Sequence, residues 1–510
     1  MASDRGFPAK HGPMLAAFVA AVAAVPSLRL PLLSDDWAHV AGAAEGLIRQ
    51  TPYGYFRPLC SVTYWIEWQI WGLTPVAYHL GNLVLAAAAA ALLVVLIRRY
   101  TGDAVLAGAA GVLFALHPYH SENVAWIAAR SDLLSGLLLL WAALAYDRWR
   151  DTLRRLPVAP LILYEAAMLA KESAVVLPGL LLVLGVFDRK RRASIAEWMR
   201  GYLPLLGLGL VHFLLLRPQA LGELAFGPLK WIGAWKRNLL LFSSSAILPP
   251  KTEFLVAWPL LSWTVAAVIV GALLVAARVG SGRIPRVIWP AAAAFLVLLG
   301  PSLISFQQRF FFLPSAAAAV ALAALLLAAR RRVGLLVAGL LVIGWSVAAV
   351  ELWTGWYTAG RASARFMNDL VQASMPAGVD EIVVAAMPHR VHGTPVRTDF
   401  TKALPVAGGR AVTVHAAAEI DYPTDRADAL AEPRASAIRR GPGYAEVRLR
   451  IVRGRYSGYV WPPLPADSDR LEEDWATIFV QDAGELRVRI PDKPGRMAYV
   501  WAHGSLEPLF

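Results

Sequence analysis

Eleven apolar stretches, separated by short polar and basic segments, dominate this chain. They run near residues 13–32, 77–97, 103–118, 132–146, 157–171, 173–187, 201–216, 262–278, 287–305, 312–329 and 333–352. A helix needs about 20 mostly apolar residues to cross a hydrocarbon core. Inside that core each backbone polar group must be satisfied by the segment itself or by buried neighbours. The pattern therefore predicts a polytopic α-helical membrane protein of about 11 spans. Three stretches are shorter than a usual span, so they are expected to tilt or to continue into loop residues buried by neighbours. Only 17% of the residues are charged, against about a quarter in soluble proteins.

The net charge of +13 follows the same frame. Basic clusters lie at Arg98-Arg99, Arg148 to Arg155, Arg189-Lys190-Arg191-Arg192, Arg278 to Arg286 and Arg330-Arg331-Arg332, after every second stretch. Such spacing marks cytoplasmic loops, which argues against a nucleic-acid surface. It places the N-terminus in the cytoplasm and, after an odd number of spans, the C-terminal region outside. Arg5 and Lys10 before an apolar run, with Ala21-Val22-Ala23-Ala24 inside it, have the look of a signal peptide. The many later spans favour a retained first helix from Pro13 to Leu32 over cleavage. The single cysteine, Cys60, permits no intrachain disulfide and no cysteine-based metal site.

The expected division is a transmembrane domain over 1–352 and an extracytoplasmic domain over 353–510. From about residue 354 Asp, Glu, Arg and Pro increase and long apolar runs vanish. Short alternating windows appear at Glu381 to Ala386, Ala445 to Val452, Ala476 to Val480, Glu485 to Ile490 and Met497 to Ala502. Period-two alternation between turn residues predicts strands, hence a mixed or mainly β domain.

The loops assigned to the outer face hold the unusual polar residues. Arg57, Arg130, Lys171, Lys236, Arg237 and Arg309 break the charge rule there, and a bound anion is the simplest reason for cations in such places. Asp35-Asp36 follows the first span and opens a short interfacial helix expected to run towards Ile48. Adjacent carboxylates repel, so one pKa should rise unless a cation compensates. One of them can act as general base for a hydroxyl, or the pair can merely cap the helix. Arg57, among Tyr55, Phe56 and Pro58, can grip a phosphate through paired N–H donors, or snorkel beside the rings. In His117-Pro118-Tyr119-His120-Ser121-Glu122, two imidazoles and a carboxylate can hold a metal, contact a sugar or phosphate, or start a helix running from Ser121 to Arg130, with Asp132 beyond. Lys171-Glu172 occupies a tight turn where a compact ammonium suits phosphate. Arg309 stands beside Phe310, Phe311 and Phe312. His79 and Asn82, three apart on one helix face, read as packing hydrogen bonds before catalysis. No phosphate-cradling glycine loop or dinucleotide fingerprint is present, so an activated sugar, if used, is expected through the membrane.

Taken together, certain segments resemble a known group. They are the acidic pair, Phe56-Arg57-Pro58-Leu59, Tyr78-His79-Leu80-Gly81-Asn82, His117 through Trp126, Arg130-Ser131-Asp132-Leu133-Leu134, Lys171-Glu172, and Arg309 ahead of Leu313-Pro314-Ser315. Their order is similar to that in the membrane part of the transmembrane and tetratricopeptide-repeat O-mannosyltransferases and their bacterial relatives, polyprenyl-phosphate-sugar-dependent glycosyltransferases of the GT-C fold. The resemblance covers roughly residues 30–320. It departs in lacking tetratricopeptide repeats, in Gln308 where the family often has an acid, and in Ala86 where it often has a second His.

The resemblance implies a GT-C-like fold and an inverting transfer of mannose or another hexose at the outer face. Asp35 or Asp36, with Asp35 preferred by analogy, would deprotonate an acceptor hydroxyl. Arg57, Lys171 and Arg309 would hold the leaving lipid phosphate. His117, His120, Glu122, Arg130, Asp132, Glu172, His79 and Asn82 would position substrates. No cofactor is required; a divalent metal is conceivable but not favoured, since the leaving group is already a stable phosphate. The expected partners are a polyprenyl-phosphate sugar, a protein or glycan acceptor and the bilayer of a bacterial inner membrane. A lipid or glycan acceptor is the alternative. A lipid-linked substrate transporter fits less well, because transporters place polar residues near mid-membrane and show internal repeats. A degenerate scaffold fits poorly with intact acids and cations.

Overall fold

The structure, a computed structural model, describes residues 7–46, 56–152, 156–187, 194–216, 228–250, 254–255, 258–385, 387–391, 394–395, 400–422, 435–450, 459–460, 470–481, 485–502 and 505–509. The expected cluster Arg189 to Arg192, the last residues of the cluster ending at Arg155, Tyr55, Ile48, Ala386 and the end of the window at Val452 lie outside these.

Among the described residues, seven helices are long and apolar enough to cross a membrane: His11–Arg29, Pro75–Thr101, Ile127–Arg150, Ile195–Leu216, Pro259–Ser281, Gln308–Ala328 and Arg331–Ser374. Four shorter apolar helices stand at Ala104–Leu116, Val158–Ala170, Glu172–Val186 and Ile288–Leu303. One for one, these coincide with the apolar stretches of the sequence, so the chain is a polytopic helical membrane protein. The last helix differs from expectation by running on to Ser374. Trp356, Ala359, Ala362, Phe366, Leu370 and Ala373 are buried along it. Their three- and four-residue spacing is an amphipathic helix, and rising charge content had masked it.

The chain divides into two compact units. One comprises Met1–Leu28, Arg49–Thr63 and Ala77–Leu352; the other comprises Arg29–Ile48, Tyr64–Val76 and Trp353–Phe510. The core of the first is built from alanine and leucine on the Pro75–Thr101, Ala104–Leu116, Arg130–Arg150 and Phe312–Ala328 helices. Small residues let helix backbones approach in a medium that gives no hydrophobic push between them. Gly136 shows how close: a Cβ there would stand 2.8 Å from Phe312 Cε1.

The second unit contains three sheets. Strands are numbered β1 Glu381–Val384, β2 Met387–Val391, β3 Thr394–Pro395, β4 Thr413–Ala416, β5 Ala418–Tyr422, β6 Ala435–Gly441, β7 Tyr444–Arg450, β8 Tyr459–Val460, β9 Arg470–Glu472, β10 Thr477–Gln481, β11 Glu485–Pro491, β12 Arg496–Ala502 and β13 Ser505–Pro508. Their orders are β13-β12-β1-β4, β6-β7-β11-β10-β9 and β3-β2-β5-β8. Over their described residues, the five alternating windows of the sequence coincide with β1, β7, β10, β11 and β12. Leu486, Val488 and Ile490 of β11 turn inward with Val447 and Ile478, against Val383, Ala498 and Val500 of the first sheet. On the other side of the five-stranded sheet Arg448 pairs directly with Arg487. Buried Glu446 relieves that repulsion, 3.0 Å from Arg489 and 3.6 Å from Arg487.

Candidate active site

Within the first unit, the singular polar residues gather where helices reverse. The Ala104–Leu116 helix ends at His117, whose backbone turns extended. His120–Ala125 forms a short helix, Ile127–Ala129 a 3-10 turn, and the next long helix starts at Arg130. The single helix expected from Ser121 to Arg130 is thus broken at Trp126, which adopts an extended backbone. Lys171 is the extended link between Val158–Ala170 and the 3-10 turn Glu172–Val176. Arg309 lies in the 3-10 turn Gln308–Phe311 that leads into Phe312–Ala328.

Three of the six out-of-place cations, Arg57, Lys171 and Arg309, are paired with carboxylates, which supplies a reason for their position besides a bound anion. Arg57 grips Glu172 with two donors, Nη2 to Oε1 at 2.8 Å and Nε to Oε2 at 3.1 Å, and reaches Ser131 Oγ at 3.4 Å. Lys171 Nζ donates to Asp132 Oδ1 and sits 4.3 Å from the centre of the Phe310 ring. Arg309 donates to Glu122, Nη1 to Oε1 at 3.0 Å, with its backbone N–H on Oε2 at 3.2 Å. Its Nε is 3.9 Å from Asp132 Oδ2, and its guanidinium lies 4.3 Å from the Trp126 ring centre. Burial pulls the Lys171 ammonium below its ordinary pKa, with Asp132 opposing that shift. Among the described residues, these three cations and the carboxylates of Glu122, Asp132 and Glu172 balance in charge, and the buried guanidinium of Arg130 adds one positive charge.

Arg130 is buried and holds the wall of the site together. Its donors reach Asn82 Oδ1 at 2.8 Å, the Tyr78 carbonyl at 2.8 Å and Thr63 Oγ1 at 3.2 Å. Asn82 in turn donates to the carbonyls of Asn123 and Trp126, and His79 Nδ1 faces the Val124 carbonyl at 3.4 Å. His117 and His120 are buried beside each other, ring centres 5.6 Å apart. His117 Nε2 donates to the Ser245 carbonyl at 3.1 Å while Nδ1 accepts the Tyr119 N–H at 3.4 Å, which fixes a neutral tautomer. Burial holds the His117 pKa down, to about 3, and His120 well below its usual value. His120 Nε2 meets Ser315 Oγ at 2.9 Å.

Of the other two cations read from the sequence, Lys236 and Arg237 are exposed on the Pro228–Ser245 helix. Ser131, Trp126, Phe310, Asn123 and Ser315 stand in the quoted motifs, but the sequence assigned them no role. Two carried a signal: Trp126 is one helical turn after Glu122, and Phe310 adjoins Arg309.

Asp35 and Asp36 belong to the second unit. They open the Asp35–Glu45 helix, preceded by Ser34 at φ +48°, a backbone region that a serine rarely occupies. Asp36 is buried, and its Oδ2 accepts the Leu33 N–H at 3.0 Å. Asp35 is half-buried.

Fold and site thus define a polytopic membrane protein with a charged, mostly buried cluster at one end of its helices. In sequence it is similar to the TMTC protein O-mannosyl-transferases. It is 32% identical over 160 residues to Protein O-mannosyl-transferase Tmtc1 of Drosophila melanogaster, a match over 30% of this chain and 18% of the relative. It is 34% identical over 161 residues to Protein O-mannosyl-transferase TMTC1 of Homo sapiens, over 28% of this chain and 18% of the relative. With Protein O-mannosyl-transferase Tmtc2 of Drosophila melanogaster the identity is 37% over 150 residues, 28% of this chain and 16% of the relative. The chain thus spans less than a fifth of the length of these curated relatives. No family model matches it.

Proposed function

We propose that this protein is a membrane glycosyltransferase that moves a hexose, mannose being the sugar named in its relatives, from a polyprenyl-phosphate carrier to a protein hydroxyl at the extracytoplasmic face. The observation that carries the proposal is the cluster of Arg57, Lys171 and Arg309, each paired with a carboxylate, with the buried guanidinium of Arg130 in addition. A lipid-phosphate sugar is a phosphodiester with one negative charge, equal and opposite to the charge that Arg130 adds to the three neutral pairs. When the sugar departs the phosphate gains a second charge, and preorganised cations stabilise charge that develops in a transition state. In the step itself the acceptor oxygen bonds to the anomeric carbon, the bond from that carbon to the phosphate oxygen breaks, and the electron pair leaves on the phosphate. The hydroxyl proton passes to a general base, for which the resemblance to the O-mannosyltransferases implies the acidic pair, Asp35 first. Asp36, buried and accepting the Leu33 N–H, is the alternative base.

The test uses purified full-length protein in lipid nanodiscs with a panel of radiolabelled lipid-phosphate sugars and a Ser/Thr-rich acceptor polypeptide. Label should enter the polypeptide from one of the donors. Asp35→Asn should slow transfer by about 100- to 10,000-fold with an unchanged unfolding temperature. Label appearing only in lipid or glycan would move the acceptor to that class. Wild-type transfer by an Asp35→Asn, Asp36→Asn double variant would remove the proposed base.

A further inference from the structure

Three side chains that touch Arg309 keep a buried hydrogen-bonding atom with no hydrogen-bond partner among the described residues: Asn123 Oδ1, Trp126 Nε1 and Asp132 Oδ2. Their residues are 0%, 7% and 9% exposed. Asn123 donates its own Nδ2 to the Arg309 carbonyl at 3.1 Å, Trp126 lies over the guanidinium, and Asp132 Oδ2 stands 3.9 Å from Arg309 Nε, beyond hydrogen-bond reach. Native proteins seldom leave buried polar atoms unpaired, and each instance asks for an explanation such as an absent ligand. Here three instances share one neighbour.

The chemistry of the three atoms narrows the ligand. Two are acceptors and one is a donor. An anion cannot satisfy the acceptors, because a phosphodiester offers oxygen lone pairs and no N–H or O–H. A hydroxyl group both donates and accepts, so a polyol matches the set and a phosphate does not. Position narrows it further. In a lipid-phosphate sugar the ring is bonded directly to the phosphate, so groups that read ring hydroxyls must adjoin the cation that holds the phosphate. All three adjoin Arg309.

We infer that Asn123, Trp126 and Asp132 form the hydroxyl-reading subsite for the sugar ring, with Trp126 as its N–H donor and the other two as acceptors. The assignment rests on the transferase reading above for the identity of its ligand. It adds residues that discriminate one hexose from its epimers, which differ only in where hydroxyls point.

Trp126→Phe tests this with little disturbance, since it removes the N–H and keeps a ring against Arg309. Full-length wild type and variant in nanodiscs would be titrated with methyl mannoside, methyl glucoside, methyl galactoside and inorganic phosphate, followed by saturation-transfer NMR. Wild type should prefer one glycoside. Trp126→Phe should bind it roughly 10-fold more weakly and rank the epimers less sharply, with phosphate binding unchanged; Asn123→Leu should behave alike. Unaltered glycoside affinity and ranking in Trp126→Phe would overturn the subsite, as would a parallel fall in phosphate binding or a wild type that binds none of the glycosides. Trp126-dependent glycoside binding in a protein that transfers no sugar would sink the transferase reading while the subsite stands. Transfer with the wild-type donor KM in Trp126→Phe would do the reverse.

Discussion

Arg130 is 1% exposed, yet its planar guanidinium carries five N–H donors that need acceptors. It finds them on two segments, at Asn82 and Tyr78 of the Pro75–Thr101 helix and at Thr63 of Pro58–Trp71. A lysine has one compact ammonium and no fork, so it cannot span these acceptors together. Arg130→Lys should therefore lower stability by about 1–3 kcal/mol, the cost of leaving buried acceptors short of donors. The check is the apparent unfolding temperature in detergent. Wild-type stability, with a raised donor KM, would mean that the guanidinium serves substrate and not the wall. The sequence singled out Arg130 as a cation flush with the membrane, and it singled out Asn82 too. It held no sign that the two belong together, because 48 residues separate them and only the folded bundle closes that gap.

At the scale of elements, the segment from His117 to Arg130 carries most of the site's framework. His117 lies against Phe311, 4.8 Å between ring centres, and Trp345, at 5.0 Å. Its two nitrogens are spent on neutral hydrogen bonds. The folded pKa of about 3 lies below the ordinary 6.5, so between those values the unfolded chain takes up a proton that the folded protein refuses. Stability then falls as the proton gains a hold on the unfolded state. The contribution of His117 is whole above about pH 6.5 and drains away as the pH drops towards about 3. His117→Gln removes that titration. Thermal unfolding of wild type and His117→Gln across pH 7 to 4 should show wild type ahead at pH 7 and the gap closing on acidification. A constant gap would show that the imidazole is not held neutral. The motif around His117 was visible in the sequence, and so was the helix start after Pro118. The break at Trp126 was not, because it comes from tertiary contacts: the indole lies over Arg309, a residue of a distant helix.

For the whole molecule, hydropathy alone marked out the eleven apolar helices found among the described residues, since length and composition decide whether a helix suits the bilayer. Alternation marked β1, β7, β10, β11 and β12, whose inward and outward faces differ in polarity, and left the other eight described strands unmarked. Charge placement carries a further claim, that of sidedness. Lys and Arg concentrate in cytoplasmic loops, and the cluster from Arg278 to Arg286 sits between two apolar helices, Pro259–Ser281 and Ile288–Leu303. If that loop is cytoplasmic, three more apolar helices bring the chain to the opposite side before β1. Two exposed positions report on this, Ser281 at the loop end of the Pro259–Ser281 helix and Ala377 after the Arg331–Ser374 helix. Cys60 is buried, so a Cys60→Ala background gives a clean thiol count. In intact cells a membrane-impermeant maleimide should label Ala377→Cys and leave Ser281→Cys untouched until the membrane is opened. The reverse pattern would invert the molecule, placing the C-terminal sheets in the cytoplasm. Labelling of both positions in intact cells would mean that an odd number of these apolar helices fails to span, and the count of crossings would have to change before any face could be assigned to the site.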